Sequence, residues 1–284
     1  MDTTFFPIGQ WHIEEYFGLQ SLFDFIELTA LHQKGIPYSK LGVKERKALA
    51  MPTEIQAVAQ FNKSKEPQKI AHLKLNGVMR SSDGLCSRGI DSLIRDFRAA
   101  FAEPTVVGVL LETETGGGES IAGDKLNACI QGKNKPVIAY SHYLMSAGVL
   151  GTLACDEIIA SSNAARFGSI GTMLSLPKNF AESYKAYQTD LYAKDSYNKN
   201  SEFNAFLEGD VSGFQKMLDK TNANFLTEVR TNRPLTGNVE TDKHTLSGAT
   251  FDAKEAKRRG LVDMIGTFSL AQQRLLLHAQ NYKS

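Results

Sequence analysis

A chain of 284 residues, 42% of them hydrophobic, can bury a large core as one big domain or one with a small appendage. Lys and Arg number 32 against 31 Asp and Glu, so no broad field draws the protein to nucleic acid or acidic lipid. Cys86, Cys129 and Cys155 show no disulfide or metal-ligand spacing and read as small buried hydrophobes in a reducing compartment. With no apolar run of about 18 residues, and no basic start or apolar stretch after Met1-Asp2-Thr3-Thr4, the expectation is a cytoplasmic protein without a membrane anchor.

Residues 1–66 read as a small helical N-terminal arm. Ile13, Tyr16, Leu19, Leu22, Phe23 and Ile26 recur at three- and four-residue steps, and Gly35-Ile36-Pro37 ends that helix. Residues 39–47 read as a solvated helix face, and Pro52-Thr53-Glu54 can start a second helix through Phe61. The main domain spans residues 67–268. It opens with a strand over 70–75 turned by Asn76-Gly77, a polar loop over 81–87, and an amphipathic helix over 90–101.

Then come two short apolar runs, each ending in small residues. Val106-Val107-Gly108-Val109-Leu110-Leu111 runs to Gly116-Gly117-Gly118, and Pro136-Val137-Ile138-Ala139-Tyr140 runs to Ser146-Ala147-Gly148. Ile121, Leu126 and Ile130 between them have helical spacing, so the segment predicts a right-handed βαβ unit with parallel strands. Ligands of such sheets sit beyond the strands' carboxyl ends, where both small-residue turns fall. Further on, residues 158–160 read as a strand, 180–187 and 212–230 as helices, 190–193 as extended, and 269–284 as a C-terminal helix.

Taken singly, Gly116–Gly118 reads as a flexible turn and Ser146 as a helix cap; taken together they offer the two features that an acyl-transfer site needs. Bare glycine backbone approaches a substrate closely and offers N–H groups to an oxyanion, while a serine at a helix start presents a hydroxyl to the same place. His142 lies four residues before Ser146 but reads as a loop residue with no evident carboxylate to orient it.

Four motifs, Thr115-Gly116-Gly117-Gly118, Met145-Ser146-Ala147-Gly148, Gly168-Ser169-Ile170-Gly171 and Gly260-Leu261-Val262-Asp263, resemble in order and spacing the signal peptide peptidase A (S49) family of serine peptidases. The branch most resembled is that of the phage head-maturation proteases, the lambda minor capsid protein C-like group. The resemblance implies an α/β fold with a ClpP/crotonase-like superhelical βαβ core. It implies Ser146 as nucleophile, with the N–H groups of Ala147 and Gly117 as oxyanion hole and Gly116 and Gly118 against the substrate. The family's base is a lysine about fifty residues further on; Lys199, 53 residues past Ser146, fits, and Ser169 would hold its amine. Asn198 is inserted relative to the family pattern, so Lys194 remains a rival. Ser-Ala-Gly also replaces the usual Ser-Gly-Gly, and Thr113-Glu114-Thr115 replaces Asp-Ser-Pro before the glycines.

The expectation is a Ser-Lys serine endopeptidase in phage or prophage capsid maturation. It would act on protein or peptide substrates, among them scaffold, portal-associated proteins and itself, as a homo-oligomer with no metal or cofactor. Two alternatives stay open: a crotonase-type acyl-CoA enzyme, which would need neither Ser146 nor Lys199, and an inactive capsid assembly protein on the same fold.

Overall fold

The computed structural model describes residues 68–84 and 88–282, together with the backbone of two outlying strands, β1 (Trp11–Ile13) and β2 (Glu54–Ala57). The centre is a sheet of β3 (Lys69–Asn76), β4 (Val106–Thr115), β6 (Val137–Met145), β7 (Glu157–Ala160) and β10 (Met264–Ile265). All of these pair in parallel, in the order β10-β7-β6-β4-β3, and β2 closes the β3 edge antiparallel. Strands covered on both faces have no polar side, which is why β4 and β6 begin as unbroken apolar runs.

One face carries α1 (Ile90–Ala102), α2 (Ser120–Gln131) and α3 (Ala147–Thr152). Helix α1 buries Ile90, Leu93, Ile94, Phe97 and Ala100, one stripe at three- and four-residue steps. In α2 the inward positions are Ala122, Leu126 and Ile130; Ile121, expected to face in, is 53% exposed, since it sits one residue off that stripe. The opposite face is covered by α9 (Phe268–Asn281), whose Ala271, Leu275 and Ala279 pack on Ile70, Leu110, Ile138 and Ile159. A Cβ on Gly108 would lie 2.9 Å from Leu275 Cδ1, so glycine there lets α9 seat closely. The C-terminal helix is thus the second wall of the core.

Strand β6 changes partners along its length. Residues Ile138–Ser141 pair with β7, and Tyr143–Met145 pair with β8 (Arg166–Gly168), which in turn pairs antiparallel with β9 (Thr250–Asp252). The switch falls at a bulge: Thr113 faces Ser141 but Glu114 faces Tyr143, leaving His142 as the extra residue. A buried hydrogen bond from Thr113 Oγ1 to Ser141 Oγ, 2.8 Å, braces it. Beyond the bulge the end of β6 pairs with β8, so β8 and β9 branch from the same sheet.

Several expectations are corrected. Glu54–Ala57 is a strand where a helix was predicted; Ile55 and Ala57 alternate with Glu54 and Gln56, and the open edge of β3 recruits them. Trp11–Ile13 is likewise a strand, at the predicted start of the arm's first helix. The rest of residues 1–66 lies outside the described residues. The glycine triplet is more than a turn, because Gly117–Glu119 forms β5. Gly260-Leu261-Val262-Asp263 is structural: a Gly260 Cβ would fall 2.1 Å from Pro234 O, and Asp263 binds the Ile158 N–H and Arg233. Among the described residues no helix is long and apolar enough to cross a membrane.

Candidate active site

The parallel strands β6 and β8 end side by side, with Met145 opposite Gly168. Each is followed by a serine with left-handed backbone, Ser146 at φ 54° and Ser169 at φ 51°. Neighbouring strands lie about 5 Å apart, so the two serines are adjacent. Ser146, with ψ −118°, takes a conformation that ordinarily calls for glycine. Backbone strain of this kind costs roughly 1–3 kcal/mol and persists only where the surroundings enforce it. Here they do: the Ser146 N–H donates to Gly168 O at 2.8 Å, and the Ser169 N–H donates to Ala249 O at 2.8 Å. A Cβ on Gly168 would sit 2.4 Å from that same Ala249 oxygen, so only glycine can precede Ser169.

Ser146 is 1% exposed and opens α3, every residue of which is buried. The close packing of α3 explains its small residues. A Cβ on Gly148 would meet Thr115 Cγ2 at 2.6 Å, and one on Gly123 of α2 would meet Ala147 O at 2.8 Å. The Ala147 N–H stands in the first turn, where amides lack a helical acceptor.

Beside α3 runs β5. Its Gly117 O accepts the Met79 N–H and its Glu119 N–H donates to Met79 O, both at 2.8 Å. A Gly118 Cβ would lie 2.1 Å from Met79 O, so the triplet allows this approach. The Gly117 N–H donates to Thr115 Oγ1, 3.1 Å away, and that hydroxyl donates to Gly77 O at 2.6 Å. Gly116, between β4 and β5, is buried. The structure therefore gathers Ser146, Ala147, Ser169 and the triplet at one end of the sheet. Sequence reasoning passed over Met79 as an anchor and Thr115 as a brace, although Thr115 headed the glycine motif.

The lysines stand elsewhere. Lys194 and Lys199 lie exposed between α4 (Phe180–Tyr187) and α5 (Ser201–Leu207). The surface cavity that Lys199 lines, ≈ 340 Å³, takes its walls from residues 189–200, without Ser146 or Ser169. Asn200, next to Lys199, is the third left-handed non-glycine among the described residues, at φ 60°. This lobe is held by its own rings: Phe180, Tyr184, Phe203 and Phe206 contact one another, and Phe206 meets Phe214 of α6 (Ser212–Asn232). Neither α4 nor α5 has a buried residue.

His142 is a strand residue with a carboxylate after all, which corrects the sequence reading. Its Nε2 lies 3.1 Å from Glu112 Oε1, and the other oxygen of Glu112 is 2.9 Å from His72 Nε2. Burial pushes the Glu112 carboxyl up, but the hydrogen bond from His142, the Lys74 charge and His72 outweigh it and hold it below the usual range. His142 packs edge-on against Tyr140, which packs on Phe268 of α9. That is the sheet face opposite α3, so His142 does not serve Ser146. Cys155 is buried and its thiol is pushed up to about 12 by burial, a packing residue. Asp156 accepts the Val137 N–H at 2.7 Å, as a cap. Among the described residues no cluster of His, Cys, Asp and Glu is arranged to hold a metal ion.

The family model of peptidase family S49 matches residues 130–281, more than half of the chain, including Ser146, Ser169, Lys194 and Lys199 but not the glycine triplet. The "Putative protease MJ0651" of Methanocaldococcus jannaschii is 29% identical over 180 residues, 61% of this chain. That match spans only 56% of the relative's own length. Among solved structures, a mutant of the 1510-N membrane-bound stomatin-specific protease aligns at TM-score 0.47 and 14% identity, over 72% of this chain and 83% of that one. A mutant ClpP1 from Listeria monocytogenes aligns at 0.46 and 13%, over 70% and 93%. An enoyl-CoA hydratase-like protein from Mycobacterium avium paratuberculosis aligns at 0.43 and 18%, over 74% and 71%. None of these structural likenesses bears on activity. The fold is α/β, a parallel-rich central sheet with a packed core on each face.

Proposed function

Because this chain belongs to peptidase family S49, we propose that it is a serine endopeptidase that forms an acyl-enzyme on Ser146. The observation that carries this reading is the pair of adjacent left-handed serines, Ser146 and Ser169, at the ends of paired strands. A crotonase-type acyl-CoA enzyme would have no use for a strained serine at this place.

In the proposed mechanism Ser146 Oγ attacks the scissile carbonyl carbon and its proton passes to the Lys199 amine. The oxyanion takes hydrogen bonds from the Ala147 N–H and from the glycine triplet, with Gly117 released from Thr115 as substrate enters. Each such donor supplies roughly 3 kcal/mol of barrier lowering. The lysine returns the proton to the leaving amine, then takes one from the water that hydrolyses the ester. Ser169 is the hydroxyl that holds the amine toward Ser146.

A lysine serves as base only when desolvation keeps it neutral. Lys199 is exposed in a single chain, so the proposal has a second copy cover the 180–214 lobe and close the site. The setting proposed is phage or prophage head maturation, with scaffold, portal-associated proteins and the enzyme itself as substrates. It rests on the four motifs and the resemblance they carry. The test is incubation of purified protein with a candidate scaffold, reading fragment ends by mass spectrometry. Cleavage lost in Ser146→Ala supports the reading; cleavage by that variant overturns it.

A further inference from the structure

The glycine strand β5 has two edges. Its Gly117 carbonyl and Glu119 N–H are both spent on Met79, so strand alternation turns the Gly118 N–H and C=O to the opposite edge. That edge is already occupied. Strand β1 runs along it antiparallel, with Trp11 opposite Glu119, His12 opposite Gly118 and Ile13 opposite Gly117. The same strand lies against α3, the helix that Ser146 opens. An extended segment laid antiparallel on a strand edge is the way main-chain hydrogen bonds hold a peptide.

We propose that residues 11–13 are a built-in competitor for the peptide-binding edge of this site, docked on Gly118 so that an incoming peptide must displace them. The inference rests on the peptidase reading only in taking this edge as the one substrate uses. Recognition runs through backbone groups, so the occupant it excludes is any extended peptide able to pair with Gly118. An edge open in a tenth of the molecules weakens apparent affinity about tenfold.

The test uses full-length Ser146→Ala, which binds without turnover, and a fluorescein-labelled peptide of residues 8–17. A proline at position 12 lacks the N–H that faces Gly118, whereas one at position 13 loses an N–H that points away. By fluorescence anisotropy, His12→Pro in the Ser146→Ala background should bind the peptide about tenfold more tightly than Ser146→Ala alone, with Ile13→Pro close to the parent. Equal affinity in parent and His12→Pro, or no binding to His12→Pro while its circular dichroism matches the parent, overturns the inference. With Ser146 intact, His12→Pro should lower KM for a peptide substrate by the same factor and leave kcat unchanged. Tighter peptide binding without any hydrolysis would sink the peptidase reading and keep the competitor; hydrolysis with an unchanged KM would do the reverse.

Discussion

Ser146 and Ser169 are joined through a single peptide group. The carbonyl of Gly168 accepts the Ser146 N–H at 2.8 Å, and the N–H of the same peptide unit, that of Ser169, donates to Ala249 O at 2.8 Å. Three chain segments thus fix the two left-handed serines, and neither can relax without breaking this relay.

The first prediction follows from that strain. Ser146→Ala should fold and lose all turnover, a fall of about six orders of magnitude when a nucleophile goes. Ser146→Gly should be equally inactive but about 1 kcal/mol more stable than Ser146→Ala, because glycine meets no penalty at φ 54°. Urea unfolding of the two variants measures it; equal midpoints would mean the turn is unstrained.

The packing of α3 gives a second. Gly148→Ala should destabilise by about 1–3 kcal/mol, as its new methyl meets Thr115 Cγ2. Thr115→Ser removes that methyl and keeps the hydroxyl that binds Gly77 O, so the double variant should recover much of the loss. A double-mutant cycle with no coupling would contradict the contact.

The base gives a third. Lys199→Ala should abolish turnover as fully as Ser146→Ala, while Lys194→Ala keeps most of it. Light scattering should find the active species to be an assembly, and a fully active monomer at every concentration would remove the covering-copy proposal.

Acid stability gives a fourth. Glu157 of β7 accepts hydrogen bonds from Arg274 and, at 2.9 Å, His278, tying α9 to the sheet. Burial raises its carboxyl, but Arg274 and His278 more than offset this and hold it below the usual 4.5. A depressed folded value means stabilisation that is present above about pH 4.5 and lost as pH falls through the folded value. Glu157→Gln should therefore cost about 1.5–3 kcal/mol at pH 7, with the gap to the parent narrowing below pH 4. A constant gap from pH 7 to 3 would assign the effect to packing.

Much of the core was legible because β4 and β6 are buried on both faces, which leaves continuous apolar runs at the sequence level. Ser146 and Ser169 were legible through the glycines around them, whose absent side chains are what the close contacts require. The partner of the glycine strand was not, because three residues at 11–13 carry no local sign that they will pair with 117–119. Ile55 and Ala57 satisfy either period over so short a stretch, and only the open edge of β3 decides for a strand. The carboxylate beside His142 comes from Glu112, thirty residues earlier on a neighbouring strand, a proximity that register creates. For Lys199 only the family resemblance implied a role, and a single chain leaves it on an outer lobe.

The acceptor for the Ser169 amide has one more implication, for the order of events during synthesis. Ala249 is translated eighty residues after Ser169, and β9, the partner that holds β8, ends at Asp252. At roughly 5–20 residues per second, that is about 4–16 seconds in which the nascent chain has its serines but not the contact that bends the second one. A chain ending before residue 249 lacks both the acceptor of the Ser169 N–H and the strand that pairs with β8, so the backbone of this serine is set only after that late segment has been made.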